Sequence, residues 1–307
     1  MMMNYDIPIL IIAFNRPEVS RKTFAQIRQF HPAYLYVAID GARKQVPGEE
    51  ELVSQVSAVY HDIDWECDAH YKISDINKGA EITVSSAISW VLSQHEYCII
   101  LEDDVLVTES FLRFAGSMLK RYAGDERIYV VSAAQFTPMK EMKTDYVFSI
   151  YGHTGFGWAT WRRAWQHFTF DLNDFNDTLS DSKVARQFST HQAFSAFRKS
   201  VKRMQKTGSR NCSWDRCWSY IRLRDGGLSI VPKFNLTQNI GVFGFHAQGV
   251  QGYHKMTSKE GFQVLTHPEK IEIDHNYDKY HYEHYLYHSF TSRAKAKIRI
   301  LFQKLKN

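Results

Sequence analysis

The chain has 307 residues, of which 44% are hydrophobic, 14% aromatic and 23% charged, a balance that belongs to folded globular proteins and excludes extended disorder and fibrous structure. The length allows one large α/β domain or two smaller ones. A formal net charge of +5 falls short of the concentrated basic footprint of a nucleic-acid binder, so no nucleic-acid partner is expected.

In chain order, Ile7 to Phe14 is a continuous apolar run, the pattern of a strand buried on both faces. Asn15-Arg16-Pro17 breaks it, and proline is favourable in a first helical turn, so the spacing predicts a helix over Glu18 to Gln29. Tyr34 to Ile39 reads as the second strand, closed by Asp40-Gly41. A helix over Glu49 to Tyr60, a short strand at Tyr71 to Ser74 and a turn at Asn77-Lys78-Gly79 follow. Glu81 to Leu92 is the third helix, with Ile82, Ala87, Ile88 and Val91 as its apolar stripe. Tyr97 to Leu101 is the next buried strand and ends at Glu102-Asp103-Asp104. Ser110 to Tyr122 reads as helix and Ile128 to Ala133 as strand. Strands alternating with helices predict βαβ units and a mainly parallel, Rossmann-like α/β sheet flanked by helices.

After about residue 135 the pattern turns irregular, with long polar stretches and aromatic clusters. Residues 1–135 therefore resemble a nucleotide-binding half, and 136–290 a region that completes the site on the same sheet. Residues 291–307 carry Arg293, Lys295, Lys297, Arg299, Lys304 and Lys306 among Ile298, Leu301, Phe302 and Leu305, the spacing of a basic amphipathic helix. Two readings of it stay open: contact with an anionic membrane surface, or docking on the domain. Residues 1–6 lack a basic n-region and a long apolar h-region, and Ile7 to Phe14 is too short to cross a bilayer. A cytoplasmic chain, at most peripheral at the inner membrane face, is expected. Cys67, Cys98, Cys212 and Cys217 show neither a CxxC pair nor a metal-ligand spacing, which predicts reduced thiols.

In open α/β sheets ligands sit beyond the carboxyl ends of the strands, and three such ends stand out. Asn15-Arg16 follows the first strand, Asp40 the second, and Glu102-Asp103-Asp104 a later one. Consecutive carboxylates after a buried strand repel one another and call for a cation. A hard divalent ion bound by one or two carboxylates and diphosphate oxygens would serve; a solvated acidic turn is the plainer alternative. Arg16 could hold phosphate bidentately, Asp40 could bond the base or ribose, and Lys78 beside Gly79 at a helix start offers a second phosphate contact. Each has an ordinary structural explanation as well.

Further on, Tyr151-Gly152-His153-Thr154-Gly155-Phe156-Gly157-Trp158 combines glycines, which let backbone approach a ligand, with aromatic faces suited to stacking on sugars, Trp158 among them. Ser213-Trp214-Asp215-Arg216-Cys217-Trp218 sets one carboxylate between two tryptophans. Partial desolvation would suit Asp215 to general-base work, and capping of a helix N-terminus is the competing explanation.

Taken in order from about Ile7 to about Gly249, these pieces resemble the GT-A glycosyltransferases, and within them the eukaryotic enzymes that transfer N-acetylglucosamine to start complex N-glycans. The resemblance rests on Ile7 to Ala13 with Asn15-Arg16, on Asp40-Gly41, Tyr71-Lys72-Ile73 and Glu102-Asp103-Asp104. It continues through Val131-Ser132-Ala133, Gly155-Phe156-Gly157-Trp158, Trp214-Asp215 and Ser229-Ile230-Val231-Pro232, and ends on Asn239-Ile240-Gly241 before Phe245-His246. It implies a UDP-sugar donor and Mn²⁺ or Mg²⁺ on Asp104, with His246 near the metal. Asp103 and Glu102 would contact ribose and donor sugar, Arg16 and Asp40 the diphosphate and uridine. Asp215 would be the base of an inverting transfer to a hydroxyl of a glycan or lipid-linked acceptor. Asn15 stands where those enzymes carry an acid, and the tryptophan motif is spaced differently. The eukaryotic membrane anchor has no counterpart here, which suggests a bacterial enzyme building a surface polysaccharide or glycan. A sugar nucleotidyltransferase would carry a Gly-rich loop after the first strand, and none follows Phe14. A glycan-binding protein that kept the scaffold without catalysis is the alternative from another class.

Overall fold

The computed structural model describes residues 5–208, 212–241 and 257–287. Segment 291–307, expected as a basic amphipathic helix, and His246 lie outside the described residues.

The first half alternates as its periodicity predicts. Strand β1 (Ile9–Ala13) leads to α1 (Pro17–Arg28), β2 (Tyr34–Ile39) to α2 (Glu49–His61), and β3 (Asp68–Ile73) to α3 (Ala80–Gln94). β4 (Tyr97–Glu102) and the short β5 (Val105–Val107) precede α4 (Glu109–Arg121) and β6 (Ile128–Ser132). Beyond residue 135 come β7 (Tyr146–Ser149) and β8 (Trp158–Trp161), then α5 (Arg162–Trp165), α6 (Phe175–Ser180), α7 (Ser182–Gln187) and α8 (His191–Thr207). Helix α9 (Trp214–Asp225), β9 (Leu228–Pro232), β10 (Thr237–Asn239) and α10 (His275–His281) follow, with a π-helical turn at Tyr282–Leu286.

Eight strands form one sheet in the order β3-β2-β1-β4-β8-β6-β9-β7. β3, β2, β1 and β4 run parallel. β8 is antiparallel to both β4 and β6, β6 and β9 are parallel, and β7 closes the far edge antiparallel to β9. Strands from both sides of residue 135 thus share one mainly parallel sheet, and the fold is α/β and Rossmann-like. β5 and β10 make a separate two-stranded ribbon.

The alternation of side chains along each strand divides the core in two. Ile9, Ile11 and Ala13 join one cluster with Phe24 and Ile27 of α1, Val56 of α2 and Phe111 of α4. Leu10 and Ile12 face the opposite way, into a second cluster with Val84, Ala87, Ile88 and Val91 of α3 and Trp218 and Ile221 of α9. Helices on both faces explain why β1, β2 and β4 read as unbroken apolar runs. The α3 stripe is Val84-Ala87-Ile88-Val91; Ile82, two residues off that spacing, is 46% exposed. β3 is an edge strand, and its Asp68, His70 and Lys72 suit a half-covered position. All four cysteines are free thiols.

At the opposite edge a buried carboxylate ties α10 to β7: Asp278 accepts from the Ser149 hydroxyl and, at 3.2 Å, from the Ile150 N–H. Burial, aided by the charge of Asp274, pushes its carboxyl up to about 8 against those two hydrogen bonds. The solvated value is about 3.9, so the folded state keeps this proton longer than the unfolded chain. The resulting stability is complete in acid and is lost as pH rises through about 8. His281 on the same helix works in the opposite sense, because burial lowers its imidazole to about 4 from about 6.5. Its stability is lost as pH falls through that window, and the two contributions offset each other there. Between pH of about 6.5 and about 8 Asp278 acts alone of the two, and its own share of the fall in stability, read from the urea midpoint, is expected to be at most about 1.4 kcal/mol per pH unit, beside that of Glu102, which is raised to a similar value. Asp278→Asn should remove that share and leave the rest of the slope. A wild-type slope that the variant retains would mean that Asp278 is not the group responsible.

Candidate active site

β1 and β4 are neighbours at the middle of the sheet, with Ile12 opposite Glu102, so the residues that follow them leave on the same edge. The two turns meet there. The Arg16 guanidinium spans the acidic pair, donating from Nη1 to Asp104 Oδ2 at 2.9 Å and from Nη2 to Asp103 Oδ1. Asp103 and Asp104 are 2% and 7% exposed. Their backbone is fixed as firmly as their side chains. Asp103 N–H donates to the Ile12 carbonyl at 3.0 Å, the Thr23 hydroxyl donates to the Asp103 carbonyl at 2.7 Å, and Ile240 N–H donates to the Asp104 carbonyl at 2.8 Å.

The last of these bonds belongs to the β5–β10 ribbon, which carries Asn239-Ile240-Gly241 over the triplet. A Cβ on Gly241 would lie 2.1 Å from Asp104 Oδ2 and 3.1 Å from Arg16 Nη1, so only glycine lets the backbone pass. From the other side Gly155 approaches Glu102, its absent Cβ 3.9 Å from Oε1. Glu102 is half-buried. Desolvation, joined by the charges of Asp104 and Asp103, raises its carboxyl to about 8; Arg16 pulls the other way, and Asp215 adds a smaller upward push. Burial likewise raises Asp103 against the pull of Arg16. Arg16 is itself disfavoured by burial, but the two carboxylates outweigh that and hold its pKa above the ordinary arginine value.

Two oxygens of the pair remain unused: Asp103 Oδ2 and Asp104 Oδ1 are buried with no hydrogen-bond partner among the described residues. A buried acceptor left unpaired is costly, and a cation is the natural complement of two carboxylate oxygens. No group of three or more His, Cys, Asp or Glu side chains suited to a metal occurs among the described residues. The two free oxygens do not complete a metal site by themselves; a hard ion held there would take the rest of its ligands from phosphate oxygens, as Mg²⁺ commonly does.

The other sequence-selected residues fall into three groups. Asp215 does reach the site electrostatically, since its charge is felt at Glu102. The desolvation expected from its flanking tryptophans is absent, however. Trp214, Cys217, Trp218 and Ile221 form the buried i, i+3, i+4, i+7 stripe of α9, and this period turns Asp215 outward, where it is exposed in the first turn of the helix. Asn15 and Asp40 serve the frame. Asn15 Nδ2 donates to Glu49 Oε1 at 2.8 Å, and Glu49, also paired with Arg43, is 1% exposed.

Asp40 Oδ1 accepts from Gly41 and Lys78 N–H at 3.0 and 2.9 Å, and Oδ2 from Asn77 Nδ2 and Gly79 N–H at 3.1 and 2.9 Å. Those four bonds fill the acceptor capacity of a carboxylate, which corrects the expectation of a contact to base or ribose. They also occupy N–H groups at the start of α3, where a phosphate would otherwise be received; the Lys78 side chain beside them is exposed. Trp158 is the third correction. It is 1% exposed and stacks on Trp214 with centroids 5.9 Å apart, so neither face is open to a sugar. The half-buried aromatic side chains of this segment include His153 and Phe156, both packed on Phe136.

No protein-family model matches the chain, and no curated protein matches it in sequence. Among solved structures, HddC from Yersinia pseudotuberculosis is similar over 54% of this chain and 84% of that one, at 9% identity and a TM-score of 0.34. Mannose-1-phosphate geranyltransferase from Thermus thermophilus is similar over 74% of this chain and 73% of that one, at 13% identity and a TM-score of 0.35. Likenesses this distant carry neither a family nor an activity to this chain. Among the described residues no helix is long and apolar enough to cross a membrane.

The Asp40 geometry gives a direct test. Asp40→Ala should destabilise the protein by about 1–3 kcal/mol through its orphaned N–H groups, read as a lower urea midpoint. An unchanged midpoint would return Asp40 to the set of ligand contacts.

Proposed function

We propose that the protein is a metal-dependent glycosyltransferase of the GT-A type, transferring a hexosyl or N-acetylhexosaminyl group with inversion from a UDP-sugar to a hydroxyl of a glycan or lipid-linked acceptor. The observation that carries this reading is the pair of buried, unpartnered carboxylate oxygens on Asp103 and Asp104, held at the carboxyl end of two central strands beside a guanidinium. Binding sites of open α/β sheets lie at that edge.

Asp104 and Asp103 would hold Mn²⁺ or Mg²⁺, which supplies Lewis-acid stabilisation of a diphosphate leaving group. Arg16 supplies the matching cation of the protein itself. It offsets part of the charge of the carboxylates, and its fork geometry suits phosphate oxygens equally well. Glu102, beneath Gly155, lies toward the donor sugar. Asp215 stands free on the first turn of α9, on the side of Glu102, and as an accessible carboxylate it accepts the proton of the attacking hydroxyl. His246, in the segment after Gly241, remains a proposed neighbour of the metal. The basic segment 291–307 would bring the enzyme to an anionic membrane surface that presents a lipid-linked acceptor of bacterial polysaccharide synthesis.

UDP together with Mn²⁺ should raise the melting temperature of the wild-type protein, and Asp104→Ala should abolish both that shift and UDP-sugar hydrolysis. Full metal-dependent UDP binding by the variant would sink the site assignment. Stabilisation by oligosaccharide alone, with no response to UDP, would favour glycan binding without chemistry. For Asp215→Asn, kcat should fall by about 10²–10⁴-fold while the UDP shift is unchanged; a variant with normal turnover would remove Asp215 from the reaction.

A further inference from the structure

Seven residues after Asp215, about two turns along α9, Arg222 enters the interior and is 2% exposed. Its Nη1 donates to the Ser229 hydroxyl, and its Nε is buried with no partner. Burial lowers its pKa, to about 10, and no acidic neighbour opposes that shift, so the group is a cation without a counter-charge at neutral pH. Residues 1–4, 209–211, 242–256 and 288–307 contain no Asp or Glu, so no side-chain carboxylate from those segments can supply one. An uncompensated buried charge is among the costliest features a fold can carry.

Two further nitrogens in the same cluster are also unpaired. His153 Nε2 and His281 Nε2 are buried without partners, and the two rings lie 5.3 Å apart. The charge of Arg222 reaches His153. His281 Nδ1 shares a hydrogen bond of 2.7 Å with the Thr137 hydroxyl, which leaves Nε2 as its remaining polar atom. Asp278 is occupied by Ser149 and Ile150. Gly152 packs tightly against Ser229, the partner of Arg222, and a Cβ there would meet Arg222 Nη1 itself only at an ordinary contact distance of 3.5 Å. The next residue, His153, is half-buried as a whole, with its Nε2 buried. Two residues further on, a Cβ at Gly155 would lie 3.9 Å from Glu102 Oε1, so one short loop runs from the cluster toward the acidic site.

We infer that Arg222, His153 and His281 form a second subsite that binds an oxyanion, a carboxylate or phosphate group carried by the acceptor. A water could satisfy an imidazole, but only an anion also neutralises the guanidinium, and the free Nε–H of Arg222 is placed for the fork contact that oxyanions make. Assignment to the acceptor rests on the glycosyltransferase reading, because Arg222 follows Asp215 along one helix whereas Arg16 and Asp104 serve the donor end. The anion site itself does not depend on that reading.

The test is the melting temperature of the full chain titrated with inorganic phosphate and, separately, with glucuronate, each against sodium chloride of equal ionic strength. At least one oxyanion should give a saturable rise, and the two titrations distinguish a phosphate from a carboxylate subsite. Arg222→Met should lose the rise while remaining as stable as the wild type, or more so, without anion. His153→Phe, close in volume, should shift the midpoint concentration at least tenfold. No rise with either oxyanion in the wild type, or an equal rise in Arg222→Met, overturns the proposal. Should Arg222→Met fail to fold, an unchanged midpoint in His153→Phe overturns it. UDP with Mn²⁺ is the separate readout of the donor site: loss of that response with the oxyanion response intact would discard the glycosyltransferase reading and leave the subsite standing.

Discussion

The arrangement of this protein turns on one interaction, the bridge from Arg16 to Asp103 and Asp104. Three carboxylates in succession at the end of a buried strand repel one another, and burial strengthens that repulsion over its value in water. One guanidinium offsets part of this. Retention of a proton by Glu102, whose carboxyl is raised to about 8, offsets more. What remains is a negative excess on two oxygens with no donor. That residue of charge is the electrostatic reason to expect a cation or a hydrogen-bonding ligand there, independent of any family likeness.

The bridge exists because of topology. Arg16 and Asp104 are far apart in sequence, yet β1 and β4 are adjacent parallel strands whose ends point the same way. The ribbon of β5 and β10 then returns the chain over the triplet, and Gly241 is the residue at which that return comes into contact with Asp104. Thr23 from α1 and Ile240 from the returning segment hold the backbone of the same pair. The acidic residues are therefore clamped by three separate elements. Such rigidity is what a site that positions charge requires.

Much of the frame was legible in the sequence because it obeys local periodicity. β1, β2 and β4 are apolar throughout since helices cover both faces, and α1, α2 and α4 begin within a residue of where their patterns start. β8 gave no such signal. Its Trp158-Ala159-Thr160-Trp161 is a four-residue strand inserted antiparallel between β4 and β6, and what buries Trp158 is pairing with distant segments. The structural partners of Asp40 are hidden from the sequence for the same reason: three of its four donors come from Asn77 to Gly79, across β3. For Asp215 the means of a correct reading were present. Trp214, Cys217, Trp218 and Ile221 already show the helical stripe, and that period places an aspartate after Trp214 off the buried face. Arg222 offers no sequence signal for its isolation, because the absence of a counter-charge is a property of three-dimensional neighbours.

The two charge clusters are complementary. The acidic triplet leaves negative charge at the ends of β1 and β4, while Arg222 leaves positive charge near β9, and the loop from Gly152 to Gly157 runs between them. Each imbalance alone would be a cost with no return. A substrate pair that brought a metal diphosphate to the first and an oxyanion to the second would cancel both, and the two anchors would fix the direction in which an acceptor lies across Asp215. Orientation of that kind converts binding into rate by holding the attacking hydroxyl near its target. The Gly152 and Gly155 positions differ in kind, since a side chain at the first would strike Ser229 whereas one at the second would meet Glu102 only at an ordinary contact distance.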